Sequence, residues 1–233
     1  MSDTPGSAEL YRLAHTSFHD LAVTLSPDEW SAPVPCTPAW TARDVLSHVS
    51  GIPDDAFAGR MDGAPGEAWT AAQVERNRDA RVVELLDRWE QQASGFGDVI
   101  ESMGETRPPF DLHSHEHDLR HALGRPGGRS NVIVETAGYG LASVRGVGVR
   151  VTIELDDGRV VVSGDTASSS SVVLRDVSVF ELFRSRLGRR SREQVRGYDW
   201  TGNDADIDAV LGRWFNFGPS PLPIGGQDTV TPT

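Results

Sequence analysis

The stretch GRPGGRS at residues 124–130 separates two halves whose apolar residues recur with different periods. Ahead of it they return every three or four positions, as on one face of a helix. Behind it they alternate, as along a strand. A run so rich in glycine and proline continues neither pattern. The chain is long enough for two cores. The expectation is a helical bundle over 1–128 and a small α+β domain over 129–233.

Residues 8–25, AELYRLAHTSFHDLAVTL, place Leu10, Leu13, Ser17, Leu21 and Leu25 on one helical face. A Pro-rich link follows. Thr41, with Asp44 three residues on, has the pattern of a capping box and opens a second helix. That helix is expected to stop near Gly51 and Pro53. A third is expected from about Thr70 to Gln92. A fourth covers about 107–123, ended by Gly124 with Pro126 behind it. In the second half, residues 131–144 form a helix. VGVRVTIELDDGRVVVSG forms two strands joined by an Asp-Asp-Gly turn, and SSSSVVLRDV a third strand. SVFELFRSRLG reads as an amphipathic helix, Ser191 with Gln194 caps a short one, and DADIDAVLGRWFNFG makes another. The fold class expected is α+β, a four-helix bundle followed by a small α+β domain.

Composition excludes several chemistries. All 22 basic residues are arginine, so there is no lysine for a Schiff base or a Walker phosphate loop. The net charge of −12 argues against nucleic acid or an anionic membrane as partner. No apolar run approaches the roughly 18 residues of a membrane span. The N-terminal residues show no secretory pattern. The single cysteine, Cys36, rules out an intrachain disulfide and points to a reducing cytoplasm.

The segment DLHSHEHDLRHALG (111–124) carries the densest chemistry. On a helix of about 100° per residue, Leu112, Leu119, Ala122 and Leu123 share the core-facing arc. His113, His117 and His121 then fall opposite and are expected at the surface. Asp111, His115 and Asp118 run along one edge of the arc, where side chains enter the bundle. His48 borders the apolar arc of the second helix. His15 and His19 lie opposite the leucines of the first and are set aside. Two histidines and one carboxylate, His48, His115 and Asp111, make a candidate metal site of the kind bundles build from facing helices. Three protein ligands leave positions for water or substrate. The same donor set serves non-haem Fe(II) oxygenases. A non-catalytic protein holding a metal for stability is the third alternative.

Three segments, CTPAWTARDVLSHVSG (36–51), HEHDLRHALGRPGG (115–128) and FELFRSRLGRRSREQVRGYDW (180–200), together resemble the maleylpyruvate isomerase family of mycothiol-dependent enzymes. The resemblance implies a DinB-like metal-binding four-helix bundle and a sterol-carrier-like second domain. It matches His48, Asp111 and His115 to the family's metal ligands, with aspartate standing where glutamate is usual. It matches Arg76 best to a catalytic arginine, with Arg78 and Arg81 as rivals. The implied cofactors are Zn²⁺ or another divalent metal and mycothiol or a similar thiol, and the implied partner is an electrophilic small molecule. The implied reaction is cis–trans isomerisation of that molecule or S-transfer to it. In it, thiolate adds to an electron-poor double bond, the resulting single bond rotates, and elimination gives the isomer.

Overall fold

The computed structural model describes residues 5–214, which fall into two compact units, one up to residue 127 and one from 128 onward. The end of the last predicted helix, from Phe215, lies outside the described residues, as does the C-terminal part of the second expected domain. Among the described residues no helix is long and apolar enough to cross a membrane.

The first unit holds α1 (Ser7–Ala22), α2 (Ala42–Phe57), α3 (Glu67–Arg76), α4 (Val82–Ser102) and α5 (Arg107–Ala122), with a 3-10 turn at Glu29–Ser31. α1 packs on α4 and α5, and α2 packs on the same two, so the four long helices close a ring. Thr41 and Asp44 cap α2 reciprocally, as expected.

Three expectations for this unit are corrected. The third predicted helix is two helices, broken at residues 77–81. The break is stable because its carbonyls find a donor: Arg43 Nη2 reaches the oxygens of Asn77, Arg78 and Ala80 at 2.7, 2.7 and 2.5 Å. Asn77 itself donates to Ser47 O at 3.1 Å, and Glu84 closes the start of α4 by accepting from Arg81 N. α2 passes through Gly51 and Pro53 to Phe57. Pro53 removes one helical hydrogen bond, but the turn beyond it is anchored from outside, Asp54 by Arg88 and Gln92, Asp55 by Arg60 and Arg76. The core face of α1 is Leu10, Tyr11, Ala14, His15, Phe18, Leu21 and Ala22, with Leu13 exposed. Two large aromatic rings outweigh one leucine in choosing the buried face. Tyr11 accepts from Trp89 Nε1 at 2.9 Å inside the bundle.

The second unit has α6 (Val132–Leu141), β1 (Arg150–Leu155), β2 (Val160–Gly164), β3 (Ser171–Val177), α7 (Val179–Arg186), α8 (Arg192–Arg196), β4 (Asp199–Thr201) and α9 (Asp204–Trp214). The strands form one sheet in the order β2-β1-β3-β4. β1 is antiparallel to β2 and parallel to β3, and β3 is antiparallel to β4. The register of β1 against β3 slips between Ile153 and Leu155, and Asp176 there takes a positive φ of 51°. The hairpin, the third strand and the Ser191–Gln194 capping box follow the sequence reading. β4 was not foreseen, since DWT is too short to show a period. α6 packs against α7, and Gly138 permits it: a Cβ there would lie 2.4 Å from Val179 O. The protein is thus α+β, a helical N-terminal region followed by a small mixed sheet.

Candidate metal centre

α2 and α5 bring His48, Asp111 and His115 together, with one ligand atom from each lying within 4.8 Å of the others. His48 Nε2 is 3.6 Å from Asp111 Oδ2, and His115 Nε2 is 3.8 Å from Asp111 Oδ1. The imidazole side chains are each 5% exposed, and the Asp111 side chain is 41% exposed. Helix geometry explains the pairing on α5, because residues four apart stack one turn over the other. The His48 and His115 rings meet edge to face at 5.2 Å between centroids.

Each histidine has its other nitrogen held. His48 Nδ1 is 2.7 Å from Gln73 Oε1 on α3. His115 Nδ1 is 3.1 Å from Asp118 Oδ2, a carboxylate with no exposure. Acceptors at Nδ1 orient an imidazole so that Nε2 presents its lone pair, the arrangement that metal-ligating histidines require. Trp40 lies against both rings, 5.2 Å from His48 and 5.9 Å from His115 between centroids. Trp69 meets His48 edge-on at 6.2 Å. Two neutral imidazoles, one carboxylate and held outer nitrogens suit a divalent ion of the zinc or iron type.

Arg76, expected as the catalytic arginine, ends α3 and places Nη2 2.5 Å from Asp55 Oδ1. Its rivals lie elsewhere: Arg78 pairs with Glu75 and Arg81 with Glu84, both at exposed positions.

The remaining histidines of α5 correct the sequence reading. His113 and His117 are buried, and His121 is half-buried. The wheel turned them outward because it sorted residues by polarity alone. They are buried because they pair. His113 Nδ1 lies 2.9 Å from Glu116 Oε2, and His117 Nε2 lies 3.3 Å from His113 Nε2. Glu116 also accepts from Ser17 of α1 at 2.9 Å and from Arg120 at 2.7 Å. Burial pushes the Glu116 carboxyl up, but His113 and then Arg120 outweigh it, and the net shift is downward. His15 is likewise buried, while His19 beside it is half-buried.

Gln73, Asp55 and Trp40 were not singled out from sequence. Two signals bore on them: a glycine retained inside a helix at position 51, and an Asp-Asp pair following Pro53 where a helix would be expected to have ended.

No curated protein matches the chain. Two crystal structures align with it, a mycothiol-dependent maleylpyruvate isomerase and a histidine-to-alanine mutant of that description. Each aligns at 12% identity over 78% of this chain and 88% of the other, with a TM-score of 0.48. Residues 11–121, the span that carries His48, Asp111 and His115, match the family described as mycothiol maleylpyruvate isomerase N-terminal domain. The likeness to the mycothiol maleylpyruvate isomerase N-terminal domain family thus covers 111 of the 233 residues, all within the N-terminal unit.

Proposed function

We propose that the chain is an enzyme that holds a divalent metal ion, zinc, on His48, Asp111 and His115. It uses a low-molecular-weight thiol, mycothiol or a close analogue, for cis–trans isomerisation of an electrophilic small molecule or S-transfer to it. The observation that carries this reading is the convergence of those three donors within 4.8 Å in a span similar to this family's N-terminal domain.

A bound divalent ion would lower the pKa of a thiol at its open position and so supply thiolate at neutral pH. The chain's own residues prepare that position. His48 and His115 bring no charge as neutral imidazoles. Asp111 brings one negative charge, so a dication keeps net positive charge to hold an anionic sulfur. Asp111 is also the exposed member of the three, which puts entry from solvent on its side. The Trp40 and Trp69 rings shield the inner side from water. Cys36 is not needed for the chemistry, and a lone cysteine supports a cytoplasmic location.

The test is a thiol panel against cobalt-substituted protein. The expected result is a sulfur-to-cobalt absorption band in the near ultraviolet with one thiol, and isomerase or S-transferase turnover with that thiol alone. Absence of the band with every thiol defeats the reading. Iron in the purified protein together with thiol-independent oxygen uptake would replace it by the Fe(II) oxygenase.

A further inference from the structure

Gln73 is completely buried and bridges two chemically different groups of α2, His48 and Asp55. Asp55 is also completely buried and takes Arg60 Nε at 2.8 Å and Arg76 Nη2 at 2.5 Å on its Oδ1. Beside two guanidiniums its carboxyl group is a carboxylate, and a carboxylate only accepts. Gln73 must then turn Nε2 toward Asp55 Oδ2, at 3.0 Å, and Oε1 toward His48 Nδ1, at 2.7 Å. An amide oxygen also only accepts. His48 Nδ1 therefore carries the hydrogen, and the lone pair is on Nε2, the atom that faces Asp111 at 3.6 Å.

We propose that Arg76, Asp55 and Gln73 form a positioning relay that fixes His48 as its Nδ1–H tautomer. Arg76 serves the site through Asp55 rather than by touching substrate. The relay deepens the metal reading above and rests on it for its purpose, though not for its hydrogen bonds. An independent feature of the chain supports it. α2 keeps a glycine at position 51, against helix propensity, where a Cβ would lie 3.0 Å from Gln73 Cβ and 3.1 Å from Gln73 Cγ. The glycine is the gap through which Gln73 reaches both partners.

The tautomer can be read in the metal-free, full-length, 15N-labelled protein by long-range proton–nitrogen spectra at a pH where imidazoles are neutral. His48 is assigned by the signal missing from His48→Gln. The expected pattern is a protonated Nδ1 and an unprotonated Nε2. An unchanged far-ultraviolet circular dichroism spectrum in each variant shows that the bundle still folds. Gln73→Leu yields a mixture of tautomers and weakens cobalt binding about 10–100-fold, the usual effect of losing an outer-shell partner. Arg76→Gln moves both readings in the same direction by less, since Arg60 remains. A His48 protonated on Nε2, or one unchanged in Gln73→Leu, overturns the relay. If Arg76→Gln lowers turnover but leaves tautomer and cobalt affinity alone, Arg76 leaves the relay and belongs at the substrate. An unaltered protein that takes up no cobalt defeats the metal reading, and the tautomer pattern still decides the relay.

Discussion

His113 Nδ1 lies 2.9 Å from Glu116 Oε2, one helical turn away, and neither side chain has any exposure. The carboxylate has Ser17 and Arg120 as further donors, so the histidine completes a buried polar group that ties α5 to α1. With Nδ1–H donated to Glu116, His113 Nε2 accepts, and the His117 Nε2 that faces it donates.

His113→Ala removes a donor from a buried carboxylate. The expected cost is about 1–3 kcal/mol of unfolding free energy, read from urea denaturation, with metal stoichiometry unchanged. The donors at the candidate centre come from other positions on α5 and from α2. Loss of metal in this variant would move His113 from the packing of the bundle to its metal centre.

His15 gives the bundle a sensitivity to acid. Burial pushes its pKa down from the ordinary 6.5, Glu90 at 3.7 Å opposes this, and His19 adds to it. The folded pKa is below the unfolded one, so the unfolded chain binds more protons in acid. The stability from neutral His15 is fully present above about pH 6.5 and declines as pH falls through the lowered pKa. The urea midpoint is expected to drop between pH 7.5 and pH 5, and to drop less in His15→Leu. Equal drops in the two proteins would assign the effect to other groups.

The caps, the hairpin and the pairing of Asp111 with His115 on α5 were legible because each is written locally. Thr41 with Asp44, Asp-Asp-Gly between alternating strands, and Asp111 with His115 at one-turn spacing need only near neighbours. What the sequence concealed depends on distant partners. The break after Arg76 exists because Arg43, more than thirty residues earlier, satisfies its carbonyls. The burial of His113 and His117 depends on mutual pairing that a polarity wheel does not register. The relay through Gln73 needed α2 and α3 to be in place before any of its residues looked unusual. The first-helix leucines misled for a related reason: Tyr11 and Phe18 decide that face through contacts with Trp89 and Phe96.

Gly51→Ala separates helix propensity from the relay. At an open interior position the change stabilises a helix by about 1 kcal/mol. Here the added carbon meets Gln73 Cβ at 3.0 Å, and Gln73 is held at both ends by hydrogen bonds. The expected outcome is no gain in stability and weaker cobalt binding. A more stable protein with unchanged affinity would show that Gln73 can yield without consequence.

Asp111 offers the sharpest test of the metal centre. His48→Ala and His115→Ala each delete one of three donors, so each should lower metal affinity by more than about 100-fold, the upper end for outer-shell losses. Asp111→Asn keeps the size and removes the charge, leaving a dication facing two neutral imidazoles and an amide; weaker binding and lost turnover are expected. Asp111→Glu keeps the charge on a longer arm. The side chain is 41% exposed, so the extra methylene has room, and this variant should retain metal. The competing account makes Asp111 a helix cap or an ion-pair partner of Arg107. Arg107 instead forks onto Glu105, with Nε at 2.9 Å and Nη2 at 2.5 Å. That pair holds the Glu105 carboxyl down at about 2, chiefly through the arginine's hydrogen bond. Asp111 also lies beyond the first turn of α5, where a carboxylate no longer meets unpaired amides. Under that account Asp111→Asn would lower thermal stability slightly and leave stoichiometry intact. Metal-to-protein ratios of the four variants after dialysis against a weak chelator distinguish the two. A full ratio in Asp111→Asn removes the carboxylate from the centre.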